Sequence, residues 1–273
     1  MIRLLNQDDK EIVLQYLEKH HIETTFLIGN VKHFGLDNNK EIRRCGDYYG
    51  YFEVDSLKGV LALYNLGSCI PHYDSPSAIP YFVNILKEKN FTHLLGMEGI
   101  VKPLYEKIKD FKITEEYSED SYYVNNDFKP FTLESITIKE ADSEDMNIVK
   151  FYERSQIEGF NVKKTIEDII KTLKQRPSEE DFIFLSKDNL IAAQGCIQTT
   201  TDKIEQIGGV FTAVEARGNG YCKAVVSELC RRIILRGKTP SLMVRKNNTP
   251  AVKAYTSIGF KHYDDYLIIT FKV

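Results

Sequence analysis

Gly209-Val210-Phe211-Thr212-Ala213-Val214-Glu215-Ala216-Arg217-Gly218-Asn219-Gly220-Tyr221-Cys222-Lys223-Ala224 holds two structural patterns in one stretch. It starts as an apolar strand and runs into a short loop of Arg, Gly, Asn and Gly. Apolar residues at Val225, Val226, Leu229, Cys230, Ile233 and Ile234 then follow at helical, not strand, spacing. A strand that empties through glycines into a helix start is a natural anion site. The first-turn N–H groups have no partner inside the helix, and the helix dipole is positive there. Glycine has no Cβ, so a diphosphate can approach the backbone closely. The stretch predicts a site for a phosphorylated cofactor.

The chain around it has 273 residues, 42% hydrophobic and 27% charged, enough for one large domain or two ordinary ones. Lys plus Arg number 36 and Asp plus Glu 39, a net charge of −3, so no basic excess draws the protein to nucleic acid or anionic lipid. Five scattered cysteines without a CxxC pair argue against a disulfide framework or a zinc cluster and fit reduced thiols in a cytoplasm. Charge interrupts Met1-Ile2-Arg3-Leu4-Leu5-Asn6-Gln7-Asp8-Asp9 too early for a signal peptide. No apolar run approaches the roughly 20 residues that span a bilayer. No metal is expected, since His20, His21 and His33 lack ligand spacing with a Cys or carboxylate.

In the first half, Asp8 or Asp9 is expected to cap a helix bearing Ile12, Val13, Tyr16 and Leu17. A short helix over Thr24 to Ile28 should end near Gly29-Asn30. Tyr48 to Phe52 and Val60 to Tyr64 read as a hairpin, followed by a strand at Ser68 to Tyr73. A helix at Ser77 to Lys87, a strand at Thr92 to Leu95, a helix at Val101 to Lys109 and a strand at Tyr122 to Val124 complete the half. Residues 125–133, with Asn, Asp and Pro130, read as a linker or surface crossover, placing a boundary near residue 130.

The second half begins with an alternating strand at Ser135 to Lys139 and a helix capped by Asp142. A second helix over Thr165 to Lys174 precedes strands at Asp181 to Leu185, Leu190 to Thr199 and Ile204 to Thr212. After the long helix come a strand at Ser241 to Val244, a helix at Asn248 to Ser257, and two strands near Phe260 to Tyr263 and Tyr266 to Phe271.

These residues resemble a family. Arg217-Gly218-Asn219-Gly220-Tyr221-Cys222 is similar to the cofactor loop [R/Q]-x-x-G-x-[G/A] of the GNAT superfamily of acetyl-CoA-dependent N-acetyltransferases, with Cys222 where Gly or Ala is usual. Asn248-Thr249-Pro250-Ala251-Val252-Lys253-Ala254-Tyr255-Thr256-Ser257-Ile258-Gly259-Phe260 resembles that family's N-x-x-A-x-x-x-Y-x-x-x-G-F signature. Two signatures in the right order, separated by a helix and a strand, are far more specific than one glycine loop. The resemblance covers about residues 135–273. It implies an α/β (α+β) protein with a mixed, mostly antiparallel central sheet flanked by helices, in a tandem GNAT arrangement. Residues 131–273 would form the GNAT domain. Residues 1–130 would form a degenerate GNAT-like half, since Cys69-Ile70-Pro71-His72-Tyr73-Asp74-Ser75-Pro76-Ser77 has two prolines and no glycine pair.

The resemblance further implies acetyl-CoA as co-substrate and transfer to a primary amine, on a small molecule or a peptide, by direct attack in a ternary complex. Val210, Phe211 and Thr212 would pair with the pantetheine arm. Arg217, Gly218, Asn219, Gly220, Tyr221 and Cys222 would cradle the phosphates. Asn248 would bond the cofactor's amide arm, or only cap its helix. Tyr255 would serve as the acid for the departing thiolate, or only pack its helix on the sheet. Glu205 stands where some members place a base; a solvated residue at a strand start is the plainer reading. Two alternatives stand beside this one: a GNAT-like transferase using another acyl donor such as aminoacyl-tRNA, and a non-catalytic acyl-CoA-binding sensor. A Walker loop and a dinucleotide fingerprint fit worse, because Lys223 stands between Cys222 and Ala224 and not between Gly and Ser or Thr, and occupies the place of the fingerprint's third Gly or Ala.

Overall fold

A computed structural model describes residues 1–175 and 181–272. The chain packs into two compact units. The first is Met1–Tyr122 together with the chain from Tyr263 onward; the second is Tyr123–His262. A single cut near residue 130 therefore does not describe the packing, because the end of the chain belongs to the first unit.

The first unit holds β1 (Ile2–Leu4), α1 (Lys10–Glu18), α2 (Thr25–Phe34), β2 (Gly46–Glu53), β3 (Ser56–Tyr64), β4 (Ser68–Tyr73), α3 (Ile79–Glu88), β5 (His93–Met97), α4 (Glu98–Ile108) and most of β6 (Thr114–Val124). Its strands lie in the order β1-β2-β3-β4-β5-β12-β6, where β12 is Lys261–Phe271. Each face of the sheet carries a core. Val13, Leu17, Leu27 and Val31 of α1 and α2 pack with Val60, Ala62 and Ile70. Phe82, Leu86, Val101 and Leu104 of α3 and α4 pack with Leu61, Leu63 and Leu267. The alternation of Leu61/Leu63 with Val60/Ala62 reflects the two-residue period of a strand covered on both faces. β4 and β5 are parallel only at Ser68↔His93 and Cys69↔Leu94.

The second unit holds β7 (Ile136–Glu140), α5 (Met146–Phe160), α6 (Ile166–Lys174), β8 (Phe182–Lys187), β9 (Leu190–Thr200), β10 (Ile204–Thr212), α7 (Tyr221–Leu235), β11 (Thr239–Arg245) and α8 (Thr249–Ser257), with sheet order β11-β10-β9-β8-β7. Asp188 and Asn189 take φ of 50° and 64°, the left-handed pair that closes a two-residue hairpin between β8 and β9. Val225, Val226, Leu229 and Ile233 of α7 pack on one face of the sheet, and Ile148, Val149, Phe151 and Ile169 of α5 and α6 on the other.

Several expected elements differ. Asp9 holds the N-cap position of α1 without a side-chain cap bond, and a 3-10 turn before it, Gln7–Asp9, is capped by Asn6, whose side chain accepts from the Asp8 N–H in a capping box with Asp9. The helix expected to stop at Gly29 runs on to Phe34 and ends at Gly35, whose φ is 76°, because Gly29, Asn30 and Val31 face the core. Asp145, not Asp142, caps α5. The two closing strands are one, β12. Residues 125–133 are not a free linker. Asn125 Nδ2 and the Lys129 N–H both donate to the Ile258 carbonyl at 3.0 Å, and Phe128, Phe131 and Leu133 join the α7 core.

Candidate functional site

β10 and β11 are parallel at Ile204↔Thr239, Glu205↔Pro240, Gln206↔Ser241 and Ile207↔Leu242, and their register stops there. Both strands continue, β10 to Thr212 and β11 to Arg245, so their carboxyl ends part. On its other side β10 carries a bulge against β9 between Gly208↔Cys196 and Phe211↔Gln194, with Gly209 at φ 59°. A bulge leaves backbone groups outside the ladder. Val210, Phe211 and Thr212 thus lie beyond the parallel pairing, at the kind of strand-end opening where ligands enter α/β sheets.

The loop after β10 is braced by its own side chains. Glu215 accepts two hydrogen bonds from the Arg154 guanidinium, at 2.6 and 2.7 Å. Those bonds hold the Glu215 carboxyl down at about 2. Arg217 Nε donates to the Thr212 carbonyl at 3.3 Å, and Asn219 Nδ2 donates to the Ala216 carbonyl at 3.1 Å. Arg217 and Asn219 therefore shape the loop, and their exposed side chains remain at its surface. Gly218 and Gly220 have φ of 84° and 80°. A Cβ on Gly218 would meet nothing within 4 Å, whereas one on Gly220 would lie 3.3 Å from the Phe131 ring. Gly218 thus faces open space and Gly220 faces packing.

The Ala224 N–H makes the first α7 hydrogen bond, to the Gly220 carbonyl at 3.0 Å. The N–H groups of Tyr221, Cys222 and Lys223 precede it and point toward the loop. Tyr221 and Cys222 pack at the core margin. The Lys223 ammonium sits 3.6 Å above the Phe131 ring.

Tyr255 of α8 is buried, 6.1 Å from the Phe260 ring, with the Cys222 thiol as its neighbour. Burial, then the neighbouring thiol, push the Tyr255 hydroxyl well above its ordinary range, so it stays protonated. Burial likewise pushes the Cys222 thiol up to about 11, against a lowering by the neighbouring Tyr255 hydroxyl. Asn248 caps α8: its Oδ1 accepts from the Ala251 N–H at 3.3 Å. A Cβ on Gly259 (φ 103°) would overlap the Asp127 carbonyl, so the Gly-Phe end of this segment is a close backbone crossing.

Glu205 is neither a solvated strand-end residue nor a free base. It is 1% exposed. One carboxylate oxygen accepts from Arg236 at 2.6 Å; the other accepts from Lys238 and from Thr200 Oγ1, both at 2.9 Å. Burial raises this carboxyl, but those bonds outweigh it and hold the pKa below the usual value. Arg236 and Lys238 come from the end of α7, so Glu205 faces that side of the sheet.

Gln206, the next residue, points to the opposite face. Both its amide atoms are buried without a hydrogen-bond partner, as are Gln194 Oε1 and Thr212 Oγ1. Orphaned buried polar atoms cost free energy unless a ligand or water meets them. Neither glutamine carries a motif; only the alternation around Glu205 points to Gln206.

Residues 184–269 match the family model described as FR47-like protein. No curated protein matches the sequence. Among solved structures, a Drosophila protein is similar over 99% of this chain and 98% of its own, with 13% identity and a TM-score of 0.73. A GCN5-related N-acetyltransferase from Sphaerobacter thermophilus is similar over 98% and 94%, with 13% identity and a TM-score of 0.66. A tandem GNAT protein from the clavulanic acid biosynthesis pathway covers 99% and 97%, with 11% identity and a TM-score of 0.59.

The chain has the tandem GNAT fold. Its second GNAT unit carries the glycine loop. In the first GNAT unit, β4 leads instead into Asp74-Ser75-Pro76-Ser77, where Pro76 opens a 3-10 turn. Proline has no N–H to offer an anion. Among the described residues, no helix is long and apolar enough to cross a membrane.

Proposed function

We propose that the protein is an N-acetyltransferase that moves an acetyl group from acetyl-CoA to a primary amine by direct attack in a ternary complex. The observation that carries this reading is the parting of β10 from β11 after Ile207↔Leu242, directly in front of the N-terminus of α7. The residues present fit the cofactor. A Cβ on Gly218 would meet nothing within 4 Å, room that a diphosphate requires, and Thr212 Oγ1 is a buried hydroxyl without a partner at the end of β10, past its pairing with β11.

In this reading the N–H groups of residues 218–223 hold the diphosphate, and the free edge of Val210 to Thr212 holds the pantetheine arm. The acceptor nitrogen forms its bond to the acetyl carbon while the carbon–sulfur bond breaks. Tyr255 gives its hydroxyl proton to the departing sulfur, and the proton lost by the amine restores it by way of water. Glu205 is not assigned the base, because both its oxygens are committed to cations on the α7 side. Asn248 is assigned to capping. Gln206 is assigned to the acceptor side, where its amide hydrogen-bonds the incoming molecule.

The acceptor is a small-molecule or peptide amine, and neither nucleic acid nor membrane is a partner. The five free thiols support a reducing, cytoplasmic setting in this reading. Release of free thiol from acetyl-CoA across a panel of amines tests the reading. Acetyl-CoA binding without thiol release for any amine would replace it with a sensor role.

A further inference from the structure

The first unit gathers a second constellation that the glycine loop has no part in. His72 lies on β4 and Asp74 just beyond it, on the same side of the strand by its two-residue period. Tyr16 lies on α1, and His20 one helical turn later. Folding α1 onto the sheet brings together residues that are 52 apart in sequence. The His20 and His72 ring centroids are 4.6 Å apart. His20 Nε2 lies 2.9 Å from Asp74 Oδ1. Tyr16 Oη lies 2.8 Å from His72 Nδ1. One donor atom from each of His20, His72 and Asp74 falls within 4.8 Å of the other two.

We propose that His20, His72 and Asp74 form a binding site for a divalent first-row transition ion of the zinc type. Two imidazoles and one carboxylate are a donor set suited to such ions, and three protein ligands leave a fourth position open. The ion would bridge His20 Nε2 and Asp74 Oδ1, which face each other. Their 2.9 Å separation needs only a small opening to accept bonds of about 2.0–2.1 Å to each. Tyr16 on His72 Nδ1 fixes the ring, an outer support of the kind that metal-bound histidines use. His20 and Asp74 are each 33% exposed, which gives the ion a path in.

The expectation that no metal binds rested on sequence spacing, which the pairing of α1 with β4 bypasses. The site stands apart from the glycine loop, so its test does not depend on acetyl transfer. The full chain is stripped with a chelator and titrated with zinc alone, followed by calorimetry. One equivalent is expected to bind at micromolar free zinc. His20→Ala and Asp74→Asn, at partly exposed positions, should each weaken binding by at least about 10-fold, and Tyr16→Phe by about 10-fold. Circular dichroism and melting confirm that each variant is folded. If the wild-type chain takes up no zinc, or a folded His20→Ala/Asp74→Asn double variant takes up zinc as the wild type does, the proposal is overturned.

Discussion

Tyr255 is the neighbour of Cys222, the residue that departs from the small-residue pattern of the glycine loop. The pair brings a buried, protonated phenol of α8 beside the first turn of α7. If that hydroxyl protonates the departing thiol, Tyr255→Phe lowers kcat by about 100-fold and leaves the melting temperature nearly unchanged. Steady-state kinetics with a fixed amine measures this. Wild-type turnover in a folded Tyr255→Phe protein removes the acid role.

The same pair sets a pH signature. Cys222 is pushed up to about 11, so it remains a thiol at neutral pH. Its alkylation by iodoacetamide, mapped by peptide mass spectrometry, should rise roughly tenfold per pH unit from pH 8 to 10. The neighbouring Tyr255 hydroxyl lowers this thiol, so Tyr255→Phe makes Cys222 slower still at every pH. A Cys222 that reacts as fast as an exposed thiol at pH 8 contradicts the burial described above.

Gly218 separates charge from strain. Asn and Asp both tolerate positive φ better than other side chains, so Gly218→Asn and Gly218→Asp distort the loop alike. Only Asp places a negative charge where the diphosphate would sit. CoA should bind Gly218→Asp about 10-fold more weakly than Gly218→Asn, by calorimetry at low salt. Equal affinities would move the diphosphate elsewhere.

Glu205 belongs to stability. Glu205→Gln removes the charge that meets Arg236 and Lys238 and should cost about 2 kcal/mol in denaturant unfolding. The folded carboxyl is held below its ordinary value of 4.5, so its contribution is complete above that pH. It drains away as pH falls through the lower folded value. The gap between wild type and variant should therefore be full at pH 7 and shrink below pH 4.5.

Gln206 should show the opposite balance. Gln206→Leu removes two orphaned buried polar atoms, so it should be neutral or stabilising by about 1 kcal/mol. In the proposed function it also raises KM for the amine while leaving CoA affinity unchanged. An unchanged amine KM would take Gln206 out of the acceptor site.

Local signals carried much of this fold. β4 and β10 fall where apolar patterning and bounding turn residues put them, and the glycine loop leads into α7 as its spacing predicted. What escaped reading depends on partners distant in sequence. Glu205 looked solvated because Arg236 and Lys238 lie 31 and 33 residues away. Phe131 looked like linker because the Ser227 hydroxyl that receives its N–H is 96 residues on. Gly29 looked like a helix end because glycine is a common stop, yet its neighbours bury it inside α2. The histidines looked isolated because a strand and a helix meet only after folding.

β12 carries one further consequence. It lies between β5 and β6, pairing with β5 from Tyr266↔Met97 to Thr270↔His93. On a ribosome, the first 122 residues emerge with a slot between β5 and β6. Leu267 and Ile269, which fill the first unit's core, are made only after the whole second unit. The amino-terminal unit is therefore the last to be completed, and an early stop codon anywhere before residue 266 damages the unit that was synthesised first.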